Sequence, residues 1–207
     1  MIQMNEKVKN ILEWIYCILI ALVLALLIRY FIGTPTVVKH VSMVPTLQPN
    51  QRLILNKIPI TFHQKLEYGD IITFEAPTNS VAKSVKAEYN YKPENWFKSF
   101  VYYGLEIGKT SYIKRVIALE GDHVEFKDDK VYVNGVKLEE KYLSDDVITN
   151  PQNPNLVDFY VPEGYVFAMG DNRVYSMDCR AFGCIPLEKV ESKVFIRFWP
   201  LNLFGTV

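Results

Sequence analysis

The chain is poor in the residues that usually mark a metal centre or a highly charged partner. Its 207 residues include three histidines and three cysteines. The histidines are scattered, and no metal-ligand spacing appears, so a zinc site is not expected. Lys+Arg and Asp+Glu each number 23, giving a formal net charge of zero. That balance offers no basic face for nucleic acid and no acidic bias for a cationic partner. An internal repeat is also lacking. Cys17 falls inside an apolar run and reads as a small apolar residue there. Cys179 and Cys184 could pair in an extracytoplasmic domain, but spacing alone does not decide it, and two free thiols are the favoured reading.

What the sequence does contain is a long hydrophobic segment. Trp14 to Ile28 carries no charge, and Arg29 alone interrupts its continuation through Ile32. With a snorkelling arginine near its end, the segment is long enough to cross a bilayer. The rival reading is a cleaved secretory signal, which needs small residues one and three positions before the cut. Arg29-Tyr30-Phe31-Ile32-Gly33 supplies no convincing pair, so a retained anchor is expected. Lys7 and Lys9 before the span balance Arg29 and Lys39 after it, so charge alone leaves its orientation open. Trp14, Tyr16, Tyr30 and Phe31 suit the two interfaces.

Beyond the anchor, short apolar runs alternate with Gly, Pro, Asn and Asp turns, the pattern of a strand-rich domain. Strands are expected at Val37–Val41, Arg52–Asn56, Asp70–Phe74, Tyr112–Leu119, His123–Lys127, Lys130–Val133, Tyr165–Met169 and Lys193–Phe198. Asp128-Asp129 and Asn134-Gly135 are candidate hairpin turns. One helical stripe stands apart. Trp96, Phe97, Phe100, Val101 and Gly104 share a face of a helix expected over Pro93 to Leu105, with proline early in it. It either packs against the sheet, the favoured reading, or dips its aromatics into a bilayer surface. The Asn-, Pro- and Asp-rich loop from Ser144 to Asp158 is expected to be exposed.

Three stretches carry residue types suited to chemistry. Ser42-Met43-Val44-Pro45-Thr46-Leu47 places a hydroxyl about ten residues past the apolar segment, and a serine attacks only when a neighbour removes its proton. Tyr112-Ile113-Lys114-Arg115-Val116-Ile117-Ala118-Leu119 sets adjacent cations on an apolar strand, where successive side chains face opposite ways. Only the lysine can act as a base, and only if desolvation lowers its pKa. Lys-Arg on a strand also serves as plain edge protection. Gly170 to Gly183 packs turn-formers, paired charges and a serine into one short loop.

In order behind an N-terminal anchor, these stretches, with Gly69-Asp70-Ile71-Ile72-Thr73-Phe74 and Gly121-Asp122, resemble bacterial type I signal peptidases. The resemblance spans nearly the whole extramembrane chain. It implies a serine endopeptidase that removes signal peptides from exported preproteins, without metal or cofactor. It implies Ser42 as nucleophile, Lys114 as general base, Ser176 as a hydrogen-bonding partner that orients the lysine, and Asp178 with Arg180 as a structural ion pair. The fold implied is mostly β, a catalytic domain of coiled antiparallel sheets with one transmembrane helix. The implied layout is a cytoplasmic tail over 1–10, an anchor over 11–32 and an extracytoplasmic domain over 33–207, with 79–111 and 123–164 as elaborations. Its partners would be secretory preproteins, bound extended with small residues before the cut, and membrane lipid, with no nucleic acid. The location implied is the bacterial cell membrane.

The chain also departs from that family's pattern. His40 stands where relatives carry Ser or Gly. If the segment is extended, His40 faces the same side as Ser42 and either donates to the oxyanion or simply packs nearby. Ala118 and Glu120 replace Gly and Pro, and Cys179 replaces a serine. A non-catalytic relative that assists assembly of exported subunits is the competing function. Retention of Ser42, Lys114, Ser176, Asp178 and Arg180 weighs against it.

Overall fold

A computed structural model describes residues 6–207, and residues 1–5 of the expected cytoplasmic tail lie outside it. Helix α1, Glu6–Leu27, continues into a wider π-turn over Ile28–Ile32. Lys7–Ile32 is long and apolar enough to cross a membrane, and its most apolar window is wholly unburied by the rest of the chain. An all-apolar helix that nothing in its own chain covers needs an apolar solvent or partner.

Eleven strands follow: β1 Gly33–Val37, β2 Arg52–Asn56, β3 Ile71–Glu75, β4 Ser111–Ala118, β5 His123–Lys127, β6 Lys130–Val133, β7 Val136–Lys137, β8 Asp158–Tyr160, β9 Tyr165–Met169, β10 Ile185–Pro186 and β11 Val190–Trp199. Short helical turns complete the chain: α2 Ile58–Thr61, α3 Trp96–Ser99 and α4 Cys179–Phe182. The larger sheet has seven strands in the order β1-β2-β11-β3-β4-β9-β10, and the smaller has four, β7-β6-β5-β8. Every pairing between these strands is antiparallel. The mostly β, curled architecture expected from the turn-punctuated sequence is the one observed. β11 bridges β2 and β3 with register shifts on both sides, the irregularities that let a sheet coil.

The main core lies between the two sheets. Phe74, Val116, Val124, Phe126, Phe159, Phe167 and Phe182 are buried together there. A smaller core of Val38, Met43, Leu47, Leu53 and Ile71 supports the Ser42 turn from beneath. Both expected hairpin turns form, and Asp128, Asp129, Asn134 and Gly135 all have positive φ, the twist that tight antiparallel hairpins need.

Three local expectations change. The first strand covers Gly33–Val37 rather than Val37–Val41, because its register with Arg52–Asn56 begins at Gly33. The helix begins at Trp96, where Asn95 caps it by accepting the Lys98 N–H, and it widens to a π-turn over Phe100–Gly104. The loop from Ser144 to Asp158 is not exposed throughout. Thr149, Asn153 and Leu156 are buried, and the Asn153 amide donates to the Ala82 and Ala181 carbonyls.

Candidate active site

The Ser42 turn leaves β1 through a bend at His40 and Val41 and closes on itself over residues 42–46. Val44 N–H donates to Val41 O, and Leu47 N–H donates to Met43 O. The premise of an extended His40–Ser42 segment therefore fails, and the alternation that would align the two side chains does not apply. His40 is exposed and lines the same groove as Ser42.

Lys114 enters from the opposite side. β4 lies inside the large sheet, paired with β3 over Ser111–Arg115 and with β9 from Arg115 onward, and both cations are engaged by partners rather than standing in solvent as edge protection. The two cations face opposite ways as strand geometry demands, and each meets a different partner. Lys114 Nζ lies 2.7 Å from Ser42 Oγ. Arg115 grips Asp171 through two bonds of 2.9 and 2.7 Å. The Thr46 hydroxyl donates to the same carboxylate at 2.5 Å. One strand thus holds both the amine facing the serine and the cation that ties down the serine's own turn.

The lysine is 3 % exposed. Burial pulls its pKa down to about 8, Arg180 pushes the same way, and Asp178 and Asp171 oppose them in part. Relative to an ordinary lysine, that shift disfavours the charged form by roughly 3 kcal/mol. At pH 8 about half of such amines are neutral, against well under one per cent for a solvated lysine.

The Gly170–Gly183 loop supplies the surroundings. Asp178 is completely buried. Burial opposes its ionisation, but Arg180 and the Gly170 N–H outweigh it and hold the carboxyl below the usual range. Arg180 closes the pair with bonds of 2.9 Å to each carboxylate oxygen and reaches on to the Arg173 carbonyl. Gly170 is required by space rather than by φ. A β-carbon there would overlap the Ser176 hydroxyl and press on Ser42 O. Ser176 therefore lies close to the Ser42 backbone carbonyl. Its buried hydroxyl is near enough to Asp178 to favour that charge, yet has no partner in hydrogen-bond geometry, Lys114 included, among the described residues.

Asn172 is a residue the sequence reading did not single out. Its N–H donates to Ser42 O at 3.0 Å, and its side-chain amide donates to Val41 O at 3.2 Å. In a trans peptide, C=O and N–H point opposite ways. With Val41 O held by Asn172 and by Val44 N–H, the Ser42 N–H is turned away from the loop. Asp171 and Thr46 were also missed as a clamp, because only the fold brings them to Arg115. Cys179 and Cys184 are free, buried thiols. Burial pushes both pKa values up, which keeps them protonated and unreactive.

The serine and lysine lie in a groove of about 970 Å³ lined by β1, the Ser42 turn and residues 109–114. The topology explains its walls. β1 is an end strand with one edge unpaired. β4 pairs with β9 only from Arg115 onward, so Ser111–Lys114 presents a second open edge. On the floor, Thr73 and Ser192 share a buried hydrogen bond of 2.6 Å.

A hydroxyl held against a desolvated amine, between two open strand edges, is the constellation of a hydrolase with an activated serine. Comparison with known proteins places it more closely. The model of the family described as "Signal peptidase, peptidase S26" matches residues 11–199, and the chain belongs to that family of serine endopeptidases. It is 34 % identical to signal peptidase IB of Staphylococcus aureus (strain COL) over 95 % of this chain and 93 % of that protein. It is 35 % identical to a probable signal peptidase I-1 of Synechocystis sp. over 93 % of this chain and 85 % of that one. A solved signal peptidase I from Enterococcus faecalis V583 shares 29 % identity, covering 62 % of this chain and 96 % of that one, with a TM-score of 0.42. The family assignment rests on the sequence relatives.

Proposed function

We propose that this signal peptidase cleaves secretory preproteins at the outer face of a bacterial membrane, with Ser42 as nucleophile and Lys114 as general base. The observation that carries the reading is the 2.7 Å contact between Ser42 Oγ and a lysine with a pKa of about 8. The substrate lies extended in the groove and adds strand-like hydrogen bonds to β1 and to Ser111–Lys114. The neutral amine takes the Ser42 proton as Oγ adds to the scissile carbonyl. The oxyanion forms beside the Ser42 N–H, which Asn172 has turned outward. The lysine returns its proton to the leaving amine, an ester to Ser42 remains, and the same amine then activates the water that releases it.

Ser176, Asp178 and Arg180 position rather than react. Ser176 borders the nucleophile's backbone, and the buried ion pair fixes the loop around the lysine. His40, at the groove wall, is an available donor to the oxyanion. α1 spans the bilayer with the short tail in the cytoplasm, so the groove opens where a signal peptide leaves the membrane. The test is purified full-length protein with a preprotein bearing a small-x-small site. Cleavage should appear after that site and vanish in both Ser42→Ala and Lys114→Ala. Cleavage that survives Lys114→Ala would remove the lysine from its role.

A further inference from the structure

The segment between β3 and β4 distributes its aromatic residues in an unusual way. Three of its tyrosines, Tyr89, Tyr102 and Tyr103, are partly withdrawn from solvent, while Tyr91 is 46 % exposed. Tyr102 donates to Glu75 at 3.3 Å and packs on Tyr91 with ring centroids 4.3 Å apart, while Lys109 sits over Tyr102 and Tyr103. Its aromatics without hydroxyl groups turn outward. Trp96 is 80 % exposed, Phe97 60 % and Phe100 43 %, on the helical unit formed by α3 and the π-turn after it. A domain surface in water favours the reverse arrangement.

The position of this unit is fixed by the anchor. Arg29 lies in the last turn of the apolar helix. Its guanidinium donates to Leu105 O at 2.9 Å and to the Glu106 carboxylate at 3.2 Å, immediately after the aromatic unit ends. Lys57 holds the other oxygen of Glu106 at 2.6 Å. Thus the aromatic unit ends against the last turn of the apolar helix, where Tyr30 and Phe31 are themselves exposed. Indole and phenyl rings with flanking cations, here Lys92 and Lys98, suit the boundary between headgroups and acyl chains.

We propose that this aromatic unit is a second membrane contact, seating Trp96, Phe97 and Phe100 in the bilayer surface and fixing the tilt of the catalytic domain on its anchor. The proposal rests on α1 spanning the bilayer. Two contacts at one level remove the swivel that a single anchor leaves. The same segment continues directly into Lys109–Lys114, the groove wall, so its depth sets the height of the groove above the lipid.

The experiment uses the full chain in phosphatidylcholine–phosphatidylglycerol vesicles. The chain has three tryptophans, at 14, 96 and 199. Trp14→Phe/Trp199→Phe leaves only Trp96 as reporter, and Trp96→Phe/Trp199→Phe leaves only Trp14. Lipids brominated near the headgroup end of the acyl chain should quench Trp96 by at least about twofold, and more strongly than lipids brominated near the chain end. Trp96 unquenched while Trp14 is quenched overturns the second contact and leaves the anchor intact. Trp14 unquenched removes the bilayer reading itself, and the proposal with it.

Discussion

Two charge clusters organise this molecule, and they differ mainly in how much water reaches them. Around Ser42, Lys114, Asp178, Arg180, Asp171 and most of Arg115 are withdrawn from solvent. Where the anchor meets the domain, Arg29, Lys57 and Glu106 form a shorter chain in which Lys57 is buried but Arg29 and Glu106 keep partial exposure. Dry surroundings change what a charge can do. In the first cluster burial lowers the pKa of Lys114 to about 8, and the remaining charges must be paired exhaustively. In the second, the same residue types act as a tether between the anchor and the domain. Chemistry and attachment are thus divided between the two by desolvation.

The sharpest break of that contrast comes from the dry cluster. Ser42→Ala and Lys114→Met should each lower kcat/KM for a preprotein by at least about a thousandfold, because the two side chains act as one unit. Their effects on folding should part company. Lys114→Met replaces a desolvated amine with an apolar chain of similar length, so its melting temperature should match or exceed the parent's. A Lys114→Met protein that melts well below Ser42→Ala would mean the amine is structural.

Next comes the ion pair. Asp178→Asn leaves Arg180 buried without its counter-charge, a change that costs roughly 3–5 kcal/mol. Denaturant unfolding of the catalytic domain measures it. A loss below about 1 kcal/mol would show that water reaches this loop and that the contrast between the clusters is overstated.

The pH dependence is smaller and isolates the base. The neutral fraction of an amine with a pKa of about 8 grows about tenfold between pH 7 and 9. The kcat/KM should climb by about that factor and level off above. Stability follows the same group. From about pH 8 to the ordinary lysine value of 10.5, the unfolded lysine still holds a proton that the folded one has released. Its contribution to stability therefore rises with pH across that window. A flat profile from pH 7 to 9 would exclude Lys114 as the titrating base.

The sequence carried these clusters unequally. Turn residues located β2, β5, β6 and β9 to the residue, helped in β2, β5 and β6 by partial burial and in β9 by a short apolar run. Ser42 and Lys114 were singled out by the family resemblance of the motif blocks that carry them, taken in order behind the apolar segment. The clamps around them were not, because their partners are set by the fold. Asp171 and Arg173 are neighbours in one loop, yet Asp171 takes Arg115 and Arg173 takes Glu140 from the distant smaller-sheet elaboration. The strands β7, β8 and β10, of two or three residues each, are too short to leave a periodic trace. The outward turn of Trp96 was equally hidden. A stripe of apolar residues at helical spacing reports that one face is apolar, not whether protein or lipid covers it.

The smallest expected effect belongs to the tether. Glu106 is one carboxylate shared by Lys57 at 2.6 Å and Arg29 at 3.2 Å. Burial works against its charge, but Lys57 and Arg29 outweigh it and hold its pKa below the ordinary value of 4.5. A carboxylate lowered in this way contributes stability that is fully present above pH 4.5 and is lost as pH falls through its folded value. Glu106→Gln should remove that contribution and cost about 1 kcal/mol near neutrality, the scale of a partly exposed pair. The loss should shrink at high salt, whereas the cost of Asp178→Asn should hardly change. Thermal melts of both variants at low and high salt read the difference directly. If salt reduces both losses alike, the two clusters share one dielectric, and burial is not what separates the base from the tether.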